Sequence, residues 1–141
     1  MSARTFLDTN ILVYCFDPNQ PQKQAIALAL VAEALQRGNG IISWQVIQEF
    51  LNVATRKFTS PLTPEDAAIV LLKVLYPLCQ VYPDLKVYQA ALEIQQKTAY
   101  SFYDSLILAG AKQGGCGVIY SEDMQHGQQA NGVRIINPFL E

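Results

Sequence analysis

Acidic side chains directly follow predicted strands or lie in the predicted helices. In chain order, these acids are Asp8, Glu49, Asp104, Glu122 and Asp123. Asp8 follows the first predicted strand, the pair Glu122 and Asp123 follows the fourth, and Asp104 opens a late helix. Ligands of open parallel sheets bind beyond the carboxyl ends of the strands. We therefore expect these carboxylates at one edge of the sheet.

Each acid also has an ordinary structural explanation. Asp8 suits a helix N-cap, where a carboxylate accepts a hydrogen bond from a free backbone N–H. Ser101 and Asp104 have the spacing of a capping box, although that motif normally ends in Glu or Gln. Glu49 fits a solvated helix position, and Asp123 fits a turn. The sequence leaves both explanations open, because only a shared location in space would make a chemical site.

A shared location would make the carboxylates repel one another. Two of them ~5 Å apart at an effective dielectric of ~20 repel by about 3 kcal/mol. No lysine or arginine stands within these motifs to offset the charge. The carboxylates must then be partly protonated or share a divalent cation, and carboxylate ligands suit Mg²⁺ or Mn²⁺. Such an ion suits phosphodiester hydrolysis, with Thr9, Asn10 and Ser121 available to orient its ligands.

The composition is that of a folded protein with a large core. Half of the 141 residues are hydrophobic and 16% are charged, which excludes a disordered chain. Three scattered cysteines and one histidine argue against a disulfide framework and a structural zinc site. No apolar run is long enough to cross a membrane, and no signal segment precedes the first strand, so we expect a cytoplasmic protein. The net charge of −2 gives no global attraction to nucleic acid.

Short strands alternate with helices along the chain. This order predicts one α/β domain over residues 1–141, a three-layer α/β/α sandwich with a short, mostly parallel central sheet. The predicted strands are residues 5–7, 40–43, 80–82, 117–121 and 133–136. The predicted helices are residues 11–16, 22–36, 45–58, 65–76, 85–97 and 101–112. The helix over 65–76 is apolar nearly all round, so we expect a second subunit or a partner protein to cover one side.

Four motifs resemble the acidic motifs of PIN-domain ribonucleases in order and spacing. They are LDTNIL at residues 7–12, QEF at 48–50, YDSLI at 103–107 and SEDM at 121–124. Within that family the chain looks most like the VapC-type toxins of bacterial toxin–antitoxin pairs, and the resemblance covers the whole chain.

The resemblance implies a Mg²⁺- or Mn²⁺-dependent endoribonuclease. The metal-binding and catalytic acids would be Asp8, Glu49, Asp104 and Asp123, with Thr9 and Ser121 as polar support. It also implies a homodimer and an antitoxin that inserts into the active-site groove. Many such toxins carry a further aspartate where this chain has Gln125, which puts a second metal in doubt, although Glu122 could substitute.

The basic residues near these motifs are candidate contacts for RNA phosphates. They are Arg56 and Lys57, at the end of the helix that bears Glu49, and Lys112. The alternative is that they are ordinary cations at helix ends, where the helix dipole favours positive charge.

Two other functions fit the same sequence. A phosphatase could use Asp8 as its nucleophile, but such enzymes usually carry a second aspartate two residues later, where this chain has Asn10. A degenerate PIN domain could bind RNA or a protein without cutting. All four principal acids are present, so the sequence gives no sign of decay.

Overall fold

The computed structural model describes residues 4–140. Residues 1–3, on which the expectation of no leading signal segment partly rests, lie outside that range, as does residue 141. Six strands form one sheet in the order β3-β2-β1-β4-β6-β5. They are β1 (Arg4–Leu7), β2 (Gly40–Ser43), β3 (Cys79–Val81), β4 (Cys116–Tyr120), β5 (Gln129–Ala130) and β6 (Val133–Ile136).

The helices connect these strands and pack against them. They are α1 (Thr9–Tyr14), α2 (Pro21–Arg37), α3 (Trp44–Arg56), α4 (Pro64–Val70), a π-helical segment (Leu71–Leu75), α5 (Tyr76–Leu78), α6 (Leu85–Lys97) and α7 (Phe102–Gln113). Helix α1 packs against α2 and α3, and α6 packs against α7. None of the helices within residues 4–140 has both the length and the apolar composition needed to cross a membrane.

Strand β1 lies near the centre of the sheet and pairs in parallel with both β2 and β4. Its side chains Phe6 and Leu7 are almost fully buried. Strands β3 and β6 extend the parallel sheet on either side, and only β5 runs antiparallel to its neighbour. The predicted α/β fold with a mostly parallel central sheet is confirmed. That residues 1–141 form a single domain stays a prediction.

A tight junction between α2 and β2 fixes the start of the second strand. Gly38 ends α2 in the left-handed conformation with φ of 69°, which a residue without Cβ adopts freely. A Cβ at Gly40 would lie 2.3 Å from the Cβ of Ala34, so only glycine permits this contact. The glycines that follow α2 therefore both end the helix and allow it to pack closely against β2.

Two elements differ from the sequence-based prediction. The predicted helix over residues 65–76 contains the π-helical segment Leu71–Leu75, so its hydrophobic faces do not follow one regular stripe. The strand β5 was not predicted at all. Asn131 and Gly132, with φ of 55° and 80°, form its two-residue turn into β6. Asn-Gly is a strong hairpin signal and could have revealed this strand.

Candidate active site

The candidate site begins where the adjacent parallel strands β1 and β4 end. The backbone N–H of Asp8 donates to the Tyr120 carbonyl at 3.0 Å, which continues the strand pairing by one residue. Ser121, the residue that follows β4, then lies beside Asp8, and its Oγ donates to Asp8 Oδ2 at 2.7 Å. Strand pairing therefore brings two residues 113 positions apart into direct contact.

Asp8 is both the N-cap of α1 and a member of the site. The backbone N–H of Thr9 donates to Asp8 Oδ1 at 2.7 Å, as an N-cap requires. The pKa of Asp8 is raised to about 7, mainly by burial; hydrogen bonds from Ser121 and Thr9 oppose the shift, and the charges of Glu49 and Asp123 add to it. The N-cap explanation is therefore confirmed for Asp8, and it does not exclude this residue from the candidate site.

Helix α3 brings Glu49 to the same place. The hydroxyl of Thr9 donates to Glu49 Oε1 at 2.7 Å, joining the start of α1 to the middle of α3. The start of α3 is also tied to α7, because Gln45 Nε2 donates to the carbonyl of Tyr103 at 3.1 Å. Glu49 is thus held by a specific contact and is not simply a solvated helix residue.

Asp104 lies in the first turn of α7. Its backbone N–H donates to Ser101 Oγ at 3.1 Å, so the capping interaction predicted from the sequence is present. Burial raises the pKa of Asp104, and the negative charge of Asp123 raises it further. Asp104 and Asp123 line the same open depression of the surface.

Asp123 is held by two residues of the predicted supporting set. Asn10 Nδ2 donates to Asp123 Oδ2 at 3.0 Å. The backbone N–H of Asp123 donates to Ser121 Oγ at 3.3 Å. Ser121 therefore contacts both Asp8 and Asp123, and Asn10 fixes one oxygen of the Asp123 carboxylate.

Glu122 has a cationic partner that comes from outside the motifs. Lys23 Nζ lies 2.6 Å from Glu122 Oε2, and the hydroxyl of Tyr14 donates to Glu122 Oε1 at 2.5 Å. Burial alone would raise the pKa of Glu122, but these two hydrogen bonds together lower it. Local patterns could not reveal the role of Lys23, because it is 99 residues from Glu122 and belongs to no motif.

These side chains line one open depression of about 580 Å³. The predicted residues that line it are Asp8, Thr9, Asn10, Glu49, Asp104, Glu122 and Asp123, while Ser121 lies buried behind Asp8. Asp17 and Asn52 also line it and were not predicted. The spacing of Asn52, three residues after Glu49 on the same helix face, could have indicated it.

The donor atoms of this depression suit a hard divalent cation. Carboxylate oxygens are the ligands that Mg²⁺ and Mn²⁺ prefer. Within residues 4–140, no three acidic, histidine or cysteine side chains are close enough together to enclose a metal ion by themselves. Because Mg²⁺ commonly binds through one or two carboxylates and keeps several waters, the residues fit a partly hydrated ion.

The three predicted RNA-contact residues lie at different distances from the acidic depression. Lys57 lines a second depression of about 440 Å³, which shares Val13, Asp17 and Val53 with the first. Arg56 is exposed in the last turn of α3. Lys112 lies at the opposite end of α7 from Asp104, about 12 Å along the helix axis at ~1.5 Å per residue. Lys112 is therefore not brought to the site.

The fold and the site together define a class of protein: an α/β domain whose acidic side chains meet where the parallel strands end. A sequence profile described as the PIN domain matches residues 5–130. The chain belongs to the PIN domain family, and the family resemblance carried by the four motifs is confirmed. A search of curated protein sequences found no match.

Solved structures give the same fold. The toxin–antitoxin complex from Klebsiella pneumoniae matches with a TM-score of 0.70 at 17% identity, over 96% of this chain and 98% of that one. The DNA-bound VapBC structure from Salmonella typhimurium matches with a TM-score of 0.66 at 18% identity, over 95% and 97%. VapC20 from Mycobacterium tuberculosis, described as a sarcin–ricin loop cleaving toxin, matches with a TM-score of 0.57 at 17% identity, over 84% and 89%. At these identities the similarity concerns the fold.

Proposed function

We propose that this chain is a metal-dependent endoribonuclease that hydrolyses phosphodiester bonds in RNA. One observation carries the proposal: four carboxylates from separate elements line a single open depression. They are Asp8, Glu49, Asp104 and Asp123. Membership of the PIN family and the similarity to a toxin described as cleaving the sarcin–ricin loop support the same reaction class.

Of the four carboxylates, one or two would bind Mg²⁺ or Mn²⁺ directly, and the others would act through waters that the ion keeps. When bound, such an ion supplies a more acidic water nucleophile and offsets negative charge on the phosphate. Glu122 is a poor candidate ligand, because both of its oxygens already accept hydrogen bonds from Lys23 and Tyr14. Without a cation, Asp8 with its pKa of about 7 is partly protonated at neutral pH, so cation binding would release a proton.

The neighbouring polar groups fix the orientation of the carboxylates. Ser121 donates to Asp8, Thr9 donates to Glu49, and Asn10 donates to Asp123. Hydrogen-bonded partners of this kind hold metal ligands in place and raise affinity for the ion. They fit the supporting role predicted from the sequence for Thr9, Asn10 and Ser121.

RNA would enter along the two adjoining depressions. Lys57 lines the second depression and is the basic side chain best placed to contact a phosphate next to the acidic site. Arg56 precedes it in the sequence and is a second candidate, whereas the position of Lys112 at the far end of α7 argues against a direct role.

The direct test is cleavage of a mixed RNA pool by the purified protein with Mg²⁺ or Mn²⁺. We expect cleavage that EDTA abolishes and that Asp8→Asn reduces at least 100-fold, whereas the control Glu93→Gln, an exposed acid on α6, retains it. Cleavage that survives EDTA, or that Asp8→Asn leaves intact, would contradict the proposal.

A second candidate function is a PIN domain that binds RNA or a protein partner without cutting. One observation favours it: within the described residues 4–140, no three potential ligand side chains lie close enough together to enclose a metal. Mn²⁺ binding by a folded protein that cleaves none of the RNA pool would favour this function over the first. Covalent phosphate trapping on Asp8 would instead indicate the phosphatase.

We also propose that the protein is the toxin of a toxin–antitoxin pair and forms a homodimer. Several structures of similar fold are described as toxin–antitoxin complexes, which supports an antitoxin partner. The exposed side chains Ile69, Leu72 and Tyr76 support a protein interface on the helical segment from Pro64 to Leu78. A neighbouring gene for a small protein that suppresses the ribonuclease activity would support the toxin role.

A further inference from the structure

Lys23 and Tyr14 hold both oxygens of the Glu122 carboxylate. Lys23 Nζ lies 2.6 Å from Oε2, and the hydroxyl of Tyr14 donates to Oε1 at 2.5 Å. Lys23 Nζ also donates to the Tyr14 hydroxyl at 3.3 Å. The ammonium lies 5.0 Å from the centre of the Tyr14 ring and 5.7 Å from that of Phe139. These contacts immobilise the Glu122 side chain from the α2 side.

The Glu122 backbone continues this chain of contacts towards the candidate site. Its N–H donates to Asn10 Oδ1 at 3.3 Å, and Asn10 Nδ2 donates to Asp123 Oδ2 at 3.0 Å. The Asn10 amide oxygen accepts from the Glu122 N–H, and its amide nitrogen donates to the Asp123 carboxylate. These two partners define one orientation of the Asn10 side chain. The orientation of the Asp123 carboxylate thus depends on where the Glu122 backbone lies.

We propose that Lys23 is a positioning residue for Asp123, acting through Glu122 and Asn10. The ammonium anchors the Glu122 side chain and thereby fixes the segment that follows β4. The proposal rests on the proposed function only in its metal-binding readout. Two other roles for Lys23 are distinguishable by experiment: direct contact with an RNA phosphate, and a lock that keeps Glu122 from serving as a metal ligand.

The first test reads Asn10 in metal-free protein and does not depend on catalysis. We would record the side-chain amide resonances of Asn10 by ¹H–¹⁵N NMR, assigned by their loss in Asn10→Asp. Lys23→Met keeps the apolar stem but removes the ammonium, and it should shift these resonances. Lys23→Arg should shift them less, and the exposed-lysine control Lys86→Met on α6 should leave them in place. Unchanged Asn10 resonances in Lys23→Met would overturn the proposal, even if the protein proves not to be a nuclease.

The second test measures Mn²⁺ affinity by calorimetry without RNA. Loss of a group that orients a metal ligand typically costs ~10–100-fold in affinity, so Lys23→Met should weaken binding about tenfold and Lys23→Arg should recover most of it. Glu122→Gln should weaken Mn²⁺ binding as well, and the double variant should bind no more weakly than Lys23→Met alone, because both substitutions act along one chain of contacts.

Tighter Mn²⁺ binding in Lys23→Met would identify Glu122 as a released ligand and overturn the proposal. A raised KM for RNA with unchanged Mn²⁺ affinity would overturn it in favour of a phosphate contact. No Mn²⁺ binding by the wild-type protein would count against the proposed function and leave the NMR result to decide the positioning role.

Discussion

Burial removes most of the hydration of the Asp8 carboxylate, and its two hydrogen bonds do not replace it fully. The side chain is only 6% exposed, and its pKa rises to about 7 although Ser121 and Thr9 both donate to it. The charges of Glu49 and Asp123 oppose ionisation further. At the scale of one residue, the site therefore holds an acid whose ionised form destabilises the metal-free protein.

The pH dependence of stability follows from the direction of this shift. Asp8 has an ordinary pKa of 3.8 and a folded-state value of about 7, so between these values the folded state binds a proton that the unfolded state releases. The stability that this group contributes is fully present below about pH 4 and is lost as pH rises through about 7. The cost of ionised Asp8 is therefore greatest above neutral pH.

We expect Asp8→Asn to raise the free energy of unfolding of the metal-free protein. The gain should approach about 4 kcal/mol at pH 8, at ~1.4 kcal/mol per pKa unit, and should be less than half of that at pH 5. Asparagine keeps an acceptor for the Thr9 N–H and can donate to the Ser121 hydroxyl. Urea unfolding in EDTA at both pH values measures the change, with Glu93→Gln as the control. Equal stability of wild type and Asp8→Asn at pH 8 would refute the prediction.

At the scale of elements, the site depends on where strands end and helices start. Strands β1 and β4 pair in parallel, so Asp8 and Ser121 leave the sheet side by side. Helices α1 and α3 are joined by the bond from Thr9 to Glu49, and α3 and α7 by the bond from Gln45 to Tyr103. Three connections of different sequence separation thus deliver carboxylates to one edge.

The packing of α2 against β2 offers a test of how tightly these elements are fixed. A Cβ added at Gly40 would lie 2.3 Å from the Ala34 Cβ and 3.1 Å from its Cα, so the helix must shift to admit it. We expect Gly40→Ala to lower the free energy of unfolding by ~1–3 kcal/mol, as overpacking typically does. Gly117→Ala in β4 is the matched control, because nothing lies within 4 Å of its added Cβ. Thermal unfolding of both variants measures the difference in stability, and similar melting temperatures would contradict the expectation.

At the scale of the whole molecule, the helical segment from Pro64 to Leu78 leaves apolar side chains uncovered. Ile69 is 53% exposed, Leu72 is 68% exposed and Tyr76 is 64% exposed. The same segment buries Ala67, Leu75 and Leu78 against the core. The sequence predicted an all-round apolar helix that needs cover on two sides, and within the single chain one of those sides stays open.

We expect this exposed face to mediate the proposed homodimer. Leu72→Glu should shift the protein from dimer to monomer at micromolar concentration, because a charge would be buried without a partner. The control is Leu92→Glu, which alters a leucine on α6 that is 56% exposed. Sedimentation velocity measures both. A wild-type monomer at these concentrations, or dissociation caused equally by the control, would contradict the prediction.

The sequence by itself determined the order of the elements, the parallel sheet and the acids that approach its edge. These follow from local signals: apolar runs, capping residues such as Ser101 and Asp84, and helix-ending glycines such as Gly38. The same local signals predicted the parallel strands but missed β5, whose two residues are too short to show an alternating pattern and whose local signal was the Asn131-Gly132 turn.

Only the tertiary structure decided how the acids are neutralised and supported. Lys23 meets Glu122 across 99 residues, and the Asp8 pKa depends on burial by residues from several elements. The pairing of Thr9 with Glu49 and of Asn10 with Asp123 likewise joins distant segments. Local patterns record which side chains a chain carries, but desolvation and ion pairing depend on the distances between segments, and folding alone sets those distances.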